Sequence, residues 1–191
     1  VCEDGVCYNV NVIFGWNVIG EFIDYKVADD APLTKLDHIP FVPDDYKKLH
    51  GILTNHDLVF TGMEQDKLVK KSKLDATSGA TVEAIKKEVI EGALFTCYTL
   101  WHIANGAVVD SIQNHSARNL NSHLVNHIAG LNSDKASYYL INSLRPQLWE
   151  ESLEVVLGLI KNGKGYFPKN AIENVPSELF KGQRIQDFLI L

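Results

Sequence analysis

The sequence lacks the marks of several common function classes. It has no Walker-type phosphate loop, no dinucleotide-binding glycine pattern and no Ser/His/Asp arrangement. Gly163-Lys164-Gly165 alone is too short to read as a phosphate site. No apolar run reaches the roughly 20 residues that span a bilayer. The most apolar stretch, Ala93 to Ala104, is interrupted by Thr96, Thr99 and His102. Positive charge is not in excess: the net charge is −6, which argues against a nucleic-acid partner. Cysteine is scarce, with three in 191 residues. Cys2 and Cys7 flank a Glu-Asp-Gly-Val segment, and no second pair follows, so the spacing does not suit a zinc finger. They either pair across Asp4-Gly5, which would suit an oxidising compartment, or remain two thiols on a frayed terminus. Cys97 sits in the apolar stretch and reads as a small buried hydrophobe.

What is present is an ordinary soluble composition, 46% hydrophobic and 22% charged. The length suits one domain or two small ones. Charge is uneven along the chain. Residues 1–92 hold 16 acidic and 10 basic side chains, whereas residues 93–191 hold 8 of each. This asymmetry suggests two structural units, 1–92 and 93–191. The sequence begins at Val1 without an initiator Met, which fits either a trimmed chain or a mature one from which a signal peptide or lipid anchor has been removed.

The first part reads as β structure from Tyr8 to Val27. Val10, Val12 and Phe14 alternate with Asn9, Asn11 and Ile13, and Gly15 and Gly20 mark a turn or bulge, so an antiparallel hairpin is expected. Pro32, Pro40 and Pro43 punctuate an irregular connection. Asp44-Asp45 then opens a short helix with Tyr46, Leu49 and Ile52 on one face, and a short strand is expected over Leu58 to Thr61. For Ala93 to Asn105, length and lack of polar alternation favour a buried helix ending at Gly106, while β-branched and aromatic content allows a strand. Beyond Ser116 the pattern is helical: one helix from about Arg118 to Ala129, a second capped by Ser133, and a third from Pro146 to Asn162-Gly163. These short helices form either pairs of HEAT type or a plain helical extension.

The segment with chemical content is Asp75-Ala76-Thr77-Ser78-Gly79-Ala80-Thr81. Val82, Ile85 and Val89 follow at helical spacing, which puts the segment at the first turn of a helix. Unpaired amide protons there carry a partial positive charge that suits a phosphate. Gly79 and Ala80 permit close backbone approach, Ser78 can cap the helix or donate to a phosphate oxygen, and Lys67, Lys70, Lys71 and Lys73 favour an anion nearby. A plain turn followed by a capped helix would also use Ser and Thr at these places.

These residues resemble the signature of the FMN-binding domain family, which includes the flavin-carrying subunits of sodium-pumping quinone reductases and of Rnf complexes. That pattern is an Asp, two variable residues, then Ser/Thr-Gly-Ala-Thr. The resemblance covers about residues 8–92, and only the short motif is specific. It implies that Thr81 is the acceptor to which a flavin transferase joins FMN through a phosphoester. Asp75, Thr77, Ser78, Gly79 and Ala80 complete the cofactor-binding set. It further implies electron transfer with a redox protein partner in an extracytoplasmic setting, periplasmic or membrane-anchored. Many family members carry a further Ser or Thr close after the acceptor. Here Val82-Glu83-Ala84 follows, and Glu83 brings a negative charge near a phosphodiester.

The expected fold class is therefore α+β: a small antiparallel-sheet domain of FMN-binding type, then an all-helical, HEAT-like or plain region. The alternative function is a cofactor-free domain of that fold serving as a protein-interaction scaffold. A third reading uses His115, His123 and His127, the last two four apart on a helix, as metal ligands. Without a His-Glu-x-x-His arrangement, and beside the apolar stripe of Leu120, Leu124, Ile128 and Leu131, they read better as the shoulder of a core face. Tyr98, Trp101 and His102, and likewise Tyr138 and Tyr139, are aromatic groups that could stack on a flavin but more often belong to a core.

Overall fold

In a computed structural model of the chain, the structure describes residues 10–58, 60–62 and 88–180. It is α+β, and it divides into two compact units, Val1–Asp110 and Ser111–Leu191.

In the first unit, β1 (Val12–Trp16) pairs antiparallel with β2 (Phe22–Val27), with Val12 opposite Val27 and Phe14 opposite Tyr25. The register slips between Gly15 and Trp16, where Ile23 is the extra residue on β2. Asn17 closes the turn: its Oδ1 accepts from the amides of Ile19 (3.1 Å) and Glu21 (2.9 Å). Gly20 follows at φ 77°, and a Cβ there would lie 2.8 Å from Val109 Cγ1, so both backbone and space call for glycine. Alternation puts Val12, Phe14, Trp16 and Tyr25 on the core face with buried Phe22, and leaves Ile13 and Ile23 exposed.

Helix α1 (Pro43–Thr54) starts as Asp44-Asp45 foretells. Pro43 occupies its first turn, and Asp45 Oδ2 accepts from the Val42 amide at 2.9 Å. Leu49, Ile52 and Leu53 are its buried stripe. Helix α2 (Leu94–Asn105) resolves the ambiguity of that apolar stretch in favour of a helix. Cys97, Tyr98, Leu100, Trp101 and Ala104 enter the same core as the hairpin and α1. Two of its side chains satisfy carbonyls at the end of α1: Trp101 Nε1 donates to Asn55 O at 2.8 Å and Asn105 Nδ2 to Leu53 O at 3.0 Å. Trp16 Nε1 donates to Ala104 O at 2.9 Å, which ties hairpin to helix. The first unit thus extends past residue 92, because α2 has its apolar side buried there.

The strand expected over Leu58 to Thr61 is instead a turn at its described residues, closed by the Thr61 amide on Leu58 O at 2.9 Å. Leu58 and Phe60 are both buried, and this i, i+2 spacing imitates strand alternation.

The division between units falls within α3 (Ala107–Arg118). The second unit continues with α4 (Ser122–Ala129), α5 (Asp134–Ser143), α6 (Pro146–Glu151), α7 (Leu153–Asn162) and α8 (Phe167–Asn174). The expected helix over Arg118–Ala129 is cut at its start. Asn121 Oδ1 accepts from the Leu124 amide at 3.0 Å and caps α4 afresh. Ser133 caps α5 as expected, its Oγ accepting from the Ala136 amide at 3.0 Å. The helix expected from Pro146 to Asn162 is kinked at Ser152 (φ −110°, ψ 14°). Amide-to-carbonyl bonds continue on both sides, Ser152 to Leu148 and Val156 to Ser152, so a single residue leaves helical geometry. The core of this unit includes Leu120, Val125, Ile128, Leu140, Trp149 and Val156.

Candidate functional site

The motif Asp75, Thr77, Ser78, Gly79, Ala80 and Thr81 lies outside the described residues, as do Lys67, Lys70, Lys71, Lys73, Cys2 and Cys7. The chain that leaves the motif is described from Glu88 onward, and it is firmly held. Val89 and Ile90 are buried in the core of the first unit. Lys48 Nζ on α1 donates to Val89 O at 2.5 Å, and the Leu36 amide donates to Gly92 O at 2.7 Å. Gly92 at φ 72° turns the chain into α2.

A groove of about 850 Å³ opens on the first unit between β2 and α1. Its apolar lining comes from Tyr25, Val27, Phe41, Tyr46, Pro32 and Pro43, and its polar lining from Asp24, Asp29, Lys47 and His50. On α1, Pro43, Tyr46, Lys47 and His50 follow helical spacing and so share one face, while Leu49, Ile52 and Leu53 face the core. The Tyr25 hydroxyl donates to Tyr46 O at 3.1 Å, and burial, reinforced by Tyr46 and Asp24, pushes it up to about 12. It stays protonated at neutral pH, as its donated hydrogen bond requires. The Tyr46 hydroxyl accepts from the Leu33 amide at 3.3 Å. His50 Nε2 lies 3.2 Å from Ile23 O, and because a carbonyl only accepts, this contact places a proton on Nε2. The same nitrogen is 3.9 Å from Asp24 Oδ1. Lys47 is held by Asp44 at 3.1 Å, and Lys35 by Asp45 at 2.8 Å.

The remaining candidates are separate from this groove. Tyr98 and Trp101 are core residues that meet Phe60 edge-on at 5.5 and 6.0 Å. The His102 ring lies 4.2 Å from that of Tyr98, its Nε2 has no hydrogen-bond partner among the described residues, and burial pushes its pKa down. Tyr138 packs edge-on against Phe167 at 5.1 Å, and the Tyr139 hydroxyl donates to Gln113 O at 2.8 Å. His115, His123 and His127 are all exposed, and among the described residues no three His, Cys, Asp or Glu side chains gather as a metal site.

Sequence reading did not anticipate the groove. Tyr25, Phe41 and Tyr46 are visible as aromatics, but their convergence depends on how α1 is laid against β2. Comparison of the chain with protein-family models, with curated proteins and with solved structures gives no match.

Proposed function

We propose that the protein is an extracytoplasmic electron carrier that holds FMN through a phosphoester on Thr81, with the first unit carrying the flavin and the helices of the second, whether HEAT-like or a plain extension, docking a redox partner. The observation that carries this reading is the run Asp75-Ala76-Thr77-Ser78-Gly79-Ala80-Thr81, in which every fixed position of the FMN-binding pattern is matched. Support comes from the anchorage just after it. Burial of Val89 and Ile90 and the Lys48 bond to Val89 O join the chain downstream of Thr81 to a packed core, a suitable base for a tethered cofactor. A threonine hydroxyl is a weak nucleophile on its own, so attachment requires a flavin transferase. When bound, FMN supplies the redox chemistry, and the protein supplies position and tuning.

The test is co-expression with a flavin transferase, followed by intact-mass measurement and a visible spectrum. The expected product is heavier by one FMN less one water and absorbs near ~450 nm, as flavins do. Thr81→Ala is expected to lose both signals while remaining folded. A wild-type mass equal to the bare chain would refute the carrier reading.

A further inference from the structure

We propose that the outer edge of β2, with the groove beside it, is a docking slot for an extended, cationic segment of a partner protein, which joins the hairpin as a third strand. The hydrogen-bond pattern of the hairpin indicates which backbone groups point outward. The Ala28 amide donates to Asn11 O at 3.2 Å, so with Val12 opposite Val27 the pairs at Val27 and Tyr25 are of the non-hydrogen-bonded kind. The N–H and C=O groups of Tyr25 and Val27 therefore face away from β1. Two contacts agree with this. The Tyr25 amide is taken by the neighbouring Asp24 Oδ1 at 2.8 Å, and Ile23 O by His50 Nε2 at 3.2 Å. Among the described residues, Val27 N–H, Val27 O and Tyr25 O make no bond at all. Such an edge is a template for strand addition.

The surroundings specify the occupant. An incoming residue paired with Tyr25 or Val27 shares the face of those side chains and meets the groove wall of Phe41, Tyr46 and Pro43. Small β-branched apolar residues suit those two positions. The alternate positions lie opposite Asp24, Lys26 and Ala28; Asp24 and Lys26 are exposed, and exposed Asp29 follows Ala28 just past the end of β2. Lys47, the basic side chain of the groove, is already engaged by Asp44. Cationic residues at the two ends and a neutral one between them complement this charge order, giving the pattern Lys-Val-Thr-Val-Lys. On docking, Asp24 releases the Tyr25 amide to the incoming strand and turns its carboxylate to the ammonium beside it. In the unbound protein the same side chain masks the edge against indiscriminate pairing. This inference does not depend on flavin attachment.

The probe is the capped peptide Lys-Val-Thr-Val-Lys, titrated into the full chain labelled with ¹⁵N and followed by NMR. The amides of Tyr25 and Val27 are expected to shift and to exchange more slowly with solvent. A peptide methylated at both valine amides, which removes its two N–H donors to the carbonyls of β2, is expected to bind at least about tenfold more weakly, as is Glu-Val-Thr-Val-Glu. The double variant Asp24→Lys/Asp29→Lys is expected to reverse the preference between the lysine and glutamate peptides. Equal binding of the methylated peptide, unmoved Tyr25 and Val27 amides, or an unchanged charge preference in the double variant would each overturn the proposal.

Discussion

Trp101 donates its indole proton to the carbonyl of Asn55, 46 residues earlier, at 2.8 Å. This bond joins α2 to the end of α1 at the place where helical carbonyls run out of partners. Replacement by Phe keeps most of the buried ring but leaves that carbonyl without its donor. Trp101→Phe is expected to destabilise the first unit by about 1–3 kcal/mol, seen as a lower urea midpoint.

Gly20 tests the hairpin turn. An alanine there meets both an unfavourable positive φ and the Val109 side chain. Strain and overpacking together predict a loss of about 1–3 kcal/mol for Gly20→Ala. Gly62 has a similar φ of 70°, but among the described residues nothing lies within 4 Å of a Cβ placed there, so Gly62→Ala is expected to cost less. Paired urea curves for the two variants separate the packing contribution from the backbone one.

Asp45 links stability to acid. The Lys35 ammonium and the Val42 amide hold its carboxyl below the usual range. A depressed folded pKa means that the unfolded chain takes up the proton first. The stabilisation is complete above the unfolded value near ~3.9 and is lost as pH falls below it toward the folded value. Asp45→Asn is expected to be less stable than wild type at pH 7, with the difference shrinking in acid. Thermal melts across that range measure it.

His102 gives the same direction in a different window. Burial disfavours its imidazolium, so the folded pKa lies below the unfolded one. Its effect is constant above the ordinary histidine value of about 6.5, and stability falls as pH drops through that value toward the lower folded pKa. His102→Phe, which keeps an aromatic ring beside Tyr98, is expected to flatten this part of the stability profile. A profile as steep as that of wild type would contradict the assignment.

The readable parts of the fold are those governed by neighbours in the chain. Alternation around Phe14 and Tyr25 gives the hairpin, Asp44-Asp45 the start of α1, and Ser133 the start of α5. Each rests on a few residues whose hydrogen bonds close locally, as the Asp45 and Ser133 caps do. The motif ending in Thr81 is legible in the same way, as a run of residue types suited to a phosphate, and it lies outside the described residues.

Other features required distant partners. The apolar stretch before Gly106 could form either element by its composition, and it is a helix that buries Cys97, Trp101 and Ala104 in the core shared with the hairpin. Leu58 and Phe60 have strand spacing yet lie in a turn, because burial alone imposes that spacing on them. The outer side of β2 at Val27 and the aromatic wall of Phe41 and Tyr46 become a single groove only where α1 lies beside β2. Local chemistry therefore set the hairpin, the starts of α1 and α5 and the candidate attachment residue. Long-range packing set where the first unit ends and what surface it offers, since burial of apolar area is a property of the folded whole and not of any short segment.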